Sequence, residues 1–213
     1  MIEDIYLDWR HAPFNTNYIK RITQTIANAL SEYPRTMVVR VDFHLPDYFD
    51  IDDSILCEPN LAQGLMSRML ESLNAKIEAL YRRKIKQGIK TYPCRARLIW
   101  VREVSELNKS HYHAALLFNK DAFKGLGRFN EGGTGLGSLI QDAWLSALRL
   151  SKETDVLHLA QFPKNPLYFL DINAGIEQFK DAYDSLTFRL SYMAKERTKL
   201  YSRSERSFGC SQY

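Results

Sequence analysis

Ser110-His111-Tyr112-His113-Ala114-Ala115-Leu116-Leu117-Phe118 is an apolar run entered through two histidines, and it reads as a buried strand. Side chains alternate faces along a strand, so His111 and His113 point the same way. A second strand is predicted over 95–104 (RARLIWVREV), with a carboxylate, Glu103, near its end. Between them, 105–109 is a polar loop of hairpin length. If Val104 faces Ser110 across that loop, Glu103 lies opposite His111, and one carboxylate and two imidazoles converge on one face. Such a set suits Mn²⁺ or Mg²⁺ better than a closed structural zinc site, which would want thiolates or a fourth protein ligand. The competing reading is a pair of core histidines held by hydrogen bonds. Glu103 in register favours the metal.

Working outward, 17–33 is predicted as a helix, with Ile19, Ile22, Ile26, Leu30 and Tyr33 on one face and Pro34 stopping it. A strand follows over 37–45, with Val39, Val41 and Phe43 on one face. Arg40, Asp42 and His44 share the other; His44 is a candidate third imidazole but reads better as a surface or DNA-facing polar residue. Next comes an acidic loop, 47–60, whose Asp50, Asp52 and Asp53 lack a calcium-loop spacing. A long helix is expected over 61–87, with Leu65, Met69, Leu73, Ile77 and Leu80 buried and Gly88 as C-cap.

After the two central strands, 119–135 is a glycine-rich connector. The run from Gly132 to Gly137 resembles a dinucleotide loop only superficially, because it lacks the preceding strand and a following Lys-Ser/Thr. A helix is expected over 139–150, a strand over 155–162 with His158 as a core or edge residue, and a helix over 173–199, broken near Asp184 and Ser185. On that last helix Tyr192 and Lys195 are three apart and share a face.

The order β-α-β-β-α-β predicts an α+β fold: an antiparallel sheet of split β-α-β type, ferredoxin- or RRM-like, with the first and third strands central. The 213 residues, 45% hydrophobic, suffice for one domain. It divides into an N-terminal helical extension (1–35), a core (36–199) and a basic tail (200–213).

Net charge is only +4, so its distribution matters more than its total. The excess lies in 76–90, which includes Arg82, Arg83 and Lys84, and in 189–206, which includes Arg197 and Lys199. Each segment alone reads equally as a solvated helix face. Two of them, one adjoining Tyr192, favour contact with a phosphate backbone. Arg40, Arg82, Arg83, Lys84, Arg197 and Lys199 are the candidate DNA contacts, with Trp100 or Tyr112 as base-stacking aromatics. Cys57, Cys94 and Cys210 form no C-x-x-C pair and no disulfide framework, which fits a reducing cytoplasm. Neither a signal peptide nor a membrane-spanning run is read in the sequence.

His111-Tyr112-His113 followed downstream by Tyr192-Met193-Ala194-Lys195 resembles the HUH endonucleases, specifically the initiators of rolling-circle replication. More narrowly, 40–46 (RVDFHLP), 143–148 (AWLSAL), 190–195 (LSYMAK) and 206–211 (RSFGCS) are similar to the replication-associated proteins of filamentous phages, the inoviruses, and their prophage relatives. The resemblance implies an HUH core with a tyrosine-bearing C-terminal helix. It also implies metal-dependent nicking and rejoining of single-stranded or hairpin DNA at an origin, in the cytoplasm of a bacterial host. Tyr192 would be the nucleophile, assisted by Lys195, with the cation on Glu103, His111 and His113. Neutral imidazoles are required for metal binding, so activity is expected to fall in acid. No G-x-x-x-x-G-K-[ST] loop is present, so a host helicase and a polymerase are expected partners. A relaxase or mobilisation nickase is the alternative within the same chemistry. A non-cleaving DNA- or RNA-binding module on the same fold is the alternative outside it.

Overall fold

The sheet is built around strands β1 (Arg35–His44), β2 (Arg97–Val104) and β3 (Ser110–Asn119). The computed structural model describes residues 5–46, 59–104, 110–129, 133–151, 156–197 and 206–213. Three shorter strands, β4 (Ala160–Gln161), β5 (Leu167–Asp171) and β6 (Phe208–Cys210), complete a six-stranded antiparallel sheet of order β4-β1-β3-β2-β6. β5 also pairs with β1: it takes residues Arg35 to Val39, and β4 takes Asp42 and Phe43. The first and third strands are therefore interior, as expected.

Four helices cover the two faces. α2 (Leu65–Lys86) and α3 (Leu136–Leu148) pack on the face that carries Val39, Val41, Phe43, Leu116 and Phe118. α1 (Thr16–Glu32) and α4 (Ile176–Ser191) pack on the face that carries Val38, Ile99, Val101 and Leu117. α1 forms where its apolar spacing predicts, burying Ile19, Ile22, Ile26 and Leu30, and Asn15 caps it by accepting from the Tyr18 amide at 3.1 Å. Since that stripe lies in a sheet-face core, α1 belongs to the body of the domain and is not an extension of it. α2 starts four residues later than expected because Gly64, at φ 81°, holds a left-handed conformation that a helix cannot continue. Gly88, at φ 70°, ends it as expected.

Three expectations are corrected. Within the strand expected over 155–162, Leu157–Leu159 form a 3-10 turn that leaves His158 exposed, followed by the two-residue β4. The tail is not merely basic and polar, because Phe208–Cys210 forms the edge strand beside Ile99 to Val101. The last helix is unbroken at Asp184 and Ser185, and it ends at Ser191. Tyr192–Ala194 form a 3-10 turn, and Lys195 is extended and bridged to Phe14. The Asn15 amide donates to the Ala194 carbonyl at 2.8 Å and the Glu196 amide to the Pro13 carbonyl at 3.0 Å. Those tertiary bonds replace the next helical turn.

Asp50, Asp52, Asp53, Lys199 and the loop 105–109 lie outside the described residues. In the glycine-rich connector, a Cβ on Gly135 would meet the Leu126 carbonyl at 2.4 Å, and one on Gly137 would meet the Phe129 side chain at 2.4 Å. Close packing accounts for these glycines. No helix among the described residues is long and apolar enough to cross a membrane.

Candidate metal centre

The β2–β3 register is the expected one: Val104 faces Ser110, Glu103 faces His111 and Val101 faces His113. Glu103, His111 and His113 therefore share the sheet face that α1 and α4 cover. Each offers a ligand atom within 4.8 Å of the other two. Among the described residues this is the set of His, Cys, Asp and Glu side chains that converges in this way. Three protein ligands leave open positions for a substrate oxygen and water, and two imidazoles with one carboxylate suit a divalent transition ion.

β1 supplies a group the sequence reading overlooked. Asp42 pairs with His113 across the β1–β3 ladder, and its Oδ1 lies 2.6 Å from His113 Nδ1. A carboxylate only accepts, so the proton sits on Nδ1. Nε2 then faces Glu103, whose Oε2 is 3.6 Å away. This is the carboxylate–histidine arrangement that orients a metal-ligating imidazole. Burial opposes charge on His113, but the Asp42 and Glu103 carboxylates outweigh it and raise its pKa. Burial likewise opposes ionisation of Asp42, yet His113 and Arg40 hold its pKa below the usual carboxylate range.

Arg40 is buried at 3% exposure, so it is not a surface contact for DNA. Its guanidinium donates to Asp42 Oδ1 at 3.1 Å, to the Val41 carbonyl at 3.2 Å and to the Ala114 carbonyl. The polar face of β1 is an internal charge network that positions Asp42. The overlooked signal was a charged i, i+2 alternation on a central strand, where such groups must find partners. His44 also lies on this face, opposite His111, with ring centroids 6.0 Å apart, and burial lowers its pKa.

α4 and its terminal turn deliver the remaining residues. Lys195 Nζ lies 3.1 Å from Glu103 Oε2, with both side chains buried, and 3.5 Å from the centroid of the Tyr192 ring. The Tyr192 ring meets His113 edge-on at 5.4 Å. On its other side stands His11, at 4.9 Å and 89°. Nothing in the local sequence singled out His11, because its segment has no periodicity. Asp8 lies behind it, with Oδ2 3.5 Å from His11 Nε2. All five residues expected in the site thus meet on one face.

The expected DNA contacts are dispersed. Arg82, Arg83 and Lys84 are on α2, which covers the opposite face. Lys84 lines a small cleft with Thr91, Tyr92, Cys94 and Phe123, at the end of the sheet where β2 begins. Glu103 lies six residues farther along β2, about 20 Å at about 3.3 Å per residue, so this cluster sits far from the metal set. Arg197 is exposed, just beyond Lys195. Trp100 and Tyr112 also point to the opposite face, where they pack on each other and Tyr112 packs on Trp144. Gly209 lies so close to Trp100 that a Cβ there would sit 2.5 Å from its indole nitrogen. They are not a base-stacking surface beside this site.

Two outcomes test the geometry. Asp42→Asn should weaken Mn²⁺ binding by about 10–100-fold, the usual effect of losing such a carboxylate. Calorimetric titration reads this, and an unchanged Kd would mean that His113 is not oriented by Asp42. Lys195→Ala should destabilise the metal-free chain by about 1–3 kcal/mol, because it removes a buried cationic partner of Glu103 and leaves His113 beside it. Mn²⁺ should restore part of that loss, since a cation then takes the place of the ammonium. Urea melts that show no difference between the two proteins, with or without Mn²⁺, would dismiss the pair.

Two relatives from Escherichia coli (strain K12), each described only as an uncharacterized protein, align along almost the whole chain. YagK is 42% identical over 202 residues, 95% of each chain. YfjJ is 35% identical over 199 residues, 92% of this chain and 93% of its own. No solved structure matches. Residues 7–211, which hold the entire site, match the YagK/YfjJ C-terminal domain, and the chain belongs to that family.

Proposed function

We propose that this chain is an HUH-type nickase that cuts and rejoins single-stranded DNA at an origin through a tyrosine–phosphate linkage, as an initiator of rolling-circle replication does. The observation that carries the proposal is the meeting of Tyr192 and Lys195 with Glu103, His111 and His113. Five residues from three separate stretches of sequence share one sheet face, with the tyrosine ring 5.4 Å from a histidine of the metal set. A structural tyrosine has no need of that neighbourhood.

His111, His113 and Glu103 would hold the cation, and Asp42 would keep His113 Nε2 turned toward it. A divalent ion there, Mn²⁺ or Mg²⁺, offsets the charge that builds on a phosphate during displacement. Tyr192 Oη attacks phosphorus, the bond to the 3′ oxygen breaks, and that oxygen leaves as a free 3′-OH after taking a proton. The products are a 5′-phosphotyrosine and a 3′ end. The linkage conserves the bond, so attack by a 3′-OH reverses the step and joins strands. Lys195, with its Nζ 3.5 Å from the centroid of the Tyr192 ring, would bring a positive charge beside the reacting phosphate. Arg82, Arg83 and Lys84 would add backbone affinity away from the chemistry, through release of counterions.

A second reading has one observation in its favour. Glu103 already holds Lys195 at 3.1 Å, so the polar face also makes sense as a structural charge network in a non-cleaving DNA-binding module. One experiment separates them. A labelled pool of random single strands is incubated with the chain and Mn²⁺, denatured in SDS, and searched for a band that carries DNA covalently. The nickase yields such a band, with its nucleotide on Tyr192 after tryptic mapping. The binding module yields none.

A further inference from the structure

Residues 6–15 run alongside the Tyr192 turn and are pinned to it at several points. Thr187 Oγ1 donates to the Tyr6 carbonyl at 3.1 Å, and the Asp8 amide donates to Ser191 Oγ at 3.0 Å. The Asn15–Ala194 and Glu196–Pro13 backbone bonds close the far end. On this fixed strap two aromatic side chains are left in water. Trp9 is 70% exposed and Tyr6 58%. Phe14 braces the Trp9 indole edge-on at 5.8 Å, and Phe188 stacks on Tyr6 at 5.4 Å. Two residues beyond Trp9, His11 touches the Tyr192 ring.

We propose that Trp9 is a stacking platform for a base of single-stranded DNA, set beside Tyr192 by the strap; this rests on the nickase reading and deepens it. An indole that is held rigid yet exposed suits a flat apolar ligand. The charges around it suit a polyanion. The Arg10 guanidinium is 77% exposed while its fork is held on Asp8, and Arg197 is exposed on the chain segment bonded to Pro13. Base stacking accepts any sequence, and a duplex cannot supply it, because its bases already stack on each other.

The full chain without metal is titrated with a dT 20-mer, an abasic strand of equal length, a 20-base-pair duplex and a U 20-mer, and tryptophan fluorescence is followed. Trp144 is buried and Trp100 is packed under Gly209, so the exposed indole dominates any quenching. The dT strand should quench and the abasic strand and duplex should not. Trp9→Leu, at an exposed position, should melt as wild type does, lose the quench and bind dT about tenfold more weakly. Equal quenching or equal affinity in Trp9→Leu overturns the platform. Binding of the U strand at least as tight as dT overturns the DNA assignment in favour of RNA. A Tyr192 adduct with a silent Trp9 keeps the nickase and removes the platform. Quenching with no adduct under any condition leaves a strand-binding surface and removes the nickase.

Discussion

Tyr192→Phe should reduce covalent protein–DNA adduct by about six orders of magnitude, to the assay background, as loss of a nucleophile does elsewhere. The substitution removes one oxygen. The ring keeps its edge contacts with His113 and His11 and its place under Lys195. Folding stability should therefore stay within about 0.5 kcal/mol of wild type. Mn²⁺ binding and strand binding should persist, because neither uses the phenol oxygen. The measurement is the SDS-resistant band after incubation with Mn²⁺ and a single-stranded pool, followed by tryptic mapping of the adduct. Tyr183 is the natural rival, nine residues earlier on α4. It packs against Phe179 in the apolar cluster of that sheet face, and burial raises the pKa of its phenol, both unfavourable for a nucleophile. A nucleotide found on Tyr183 or Tyr201 would move the chemistry elsewhere. Full cleavage by Tyr192→Phe would end the tyrosine mechanism and point to hydrolysis by water.

Most of the scaffold was legible in the sequence because the central strands carry strong period-2 patterns and the helices strong 3.6-residue ones. The β2–β3 register followed from loop length, and a one-residue slip would have turned both histidines to the other face. What was missed is short or tertiary. β6 has three residues and β5 five, too few for a period to stand out, and each is defined by pairing with a strand distant in sequence. The helix end at Ser191 goes against local propensity, since Met193, Ala194, Lys195 and Glu196 are good helix formers. Backbone bonds to residues 13–15 override it. Within the site, Glu103, His111, His113, Tyr192 and Lys195 carried a pattern. Asp42 was read only as part of the polar face of β1, because the sequence does not say that α1 and α4 cover that face. Asp8 and His11 carried no pattern at all. They reach the site only because the strap is laid beside α4.

His111→Ala combined with His113→Ala should erase the thermal response to Mn²⁺. A ligand that binds only the folded chain stabilises it by about 2.7 kcal/mol at a hundred times its Kd. For a chain of this size each kcal/mol moves the melting temperature by about 2–4 °C, so the wild type should gain about 5–11 °C and the double variant nothing. The single variants should differ from each other in a way the hydrogen bonds dictate. His113 is bonded to Asp42 at 2.6 Å, so His113→Ala removes a ligand and also strips a partly buried carboxylate of its imidazole, leaving Arg40 as its remaining cationic partner. It should melt lower than wild type even without metal. His111 lies nearer the mouth of the strand, and His111→Ala should leave the metal-free melting temperature much closer to wild type while losing most of the Mn²⁺ gain. Differential scanning calorimetry with and without Mn²⁺ reads all four proteins. If the double variant still gains 5 °C or more, the cation sits outside this face, and the acidic loop at 47–60 becomes the place to look for it. If the wild type gains nothing at millimolar Mn²⁺ or Mg²⁺ and His113→Ala still melts low, then the histidines, Asp42, Glu103 and Lys195 form a structural charge network. Tyr192 then has no cation to work beside.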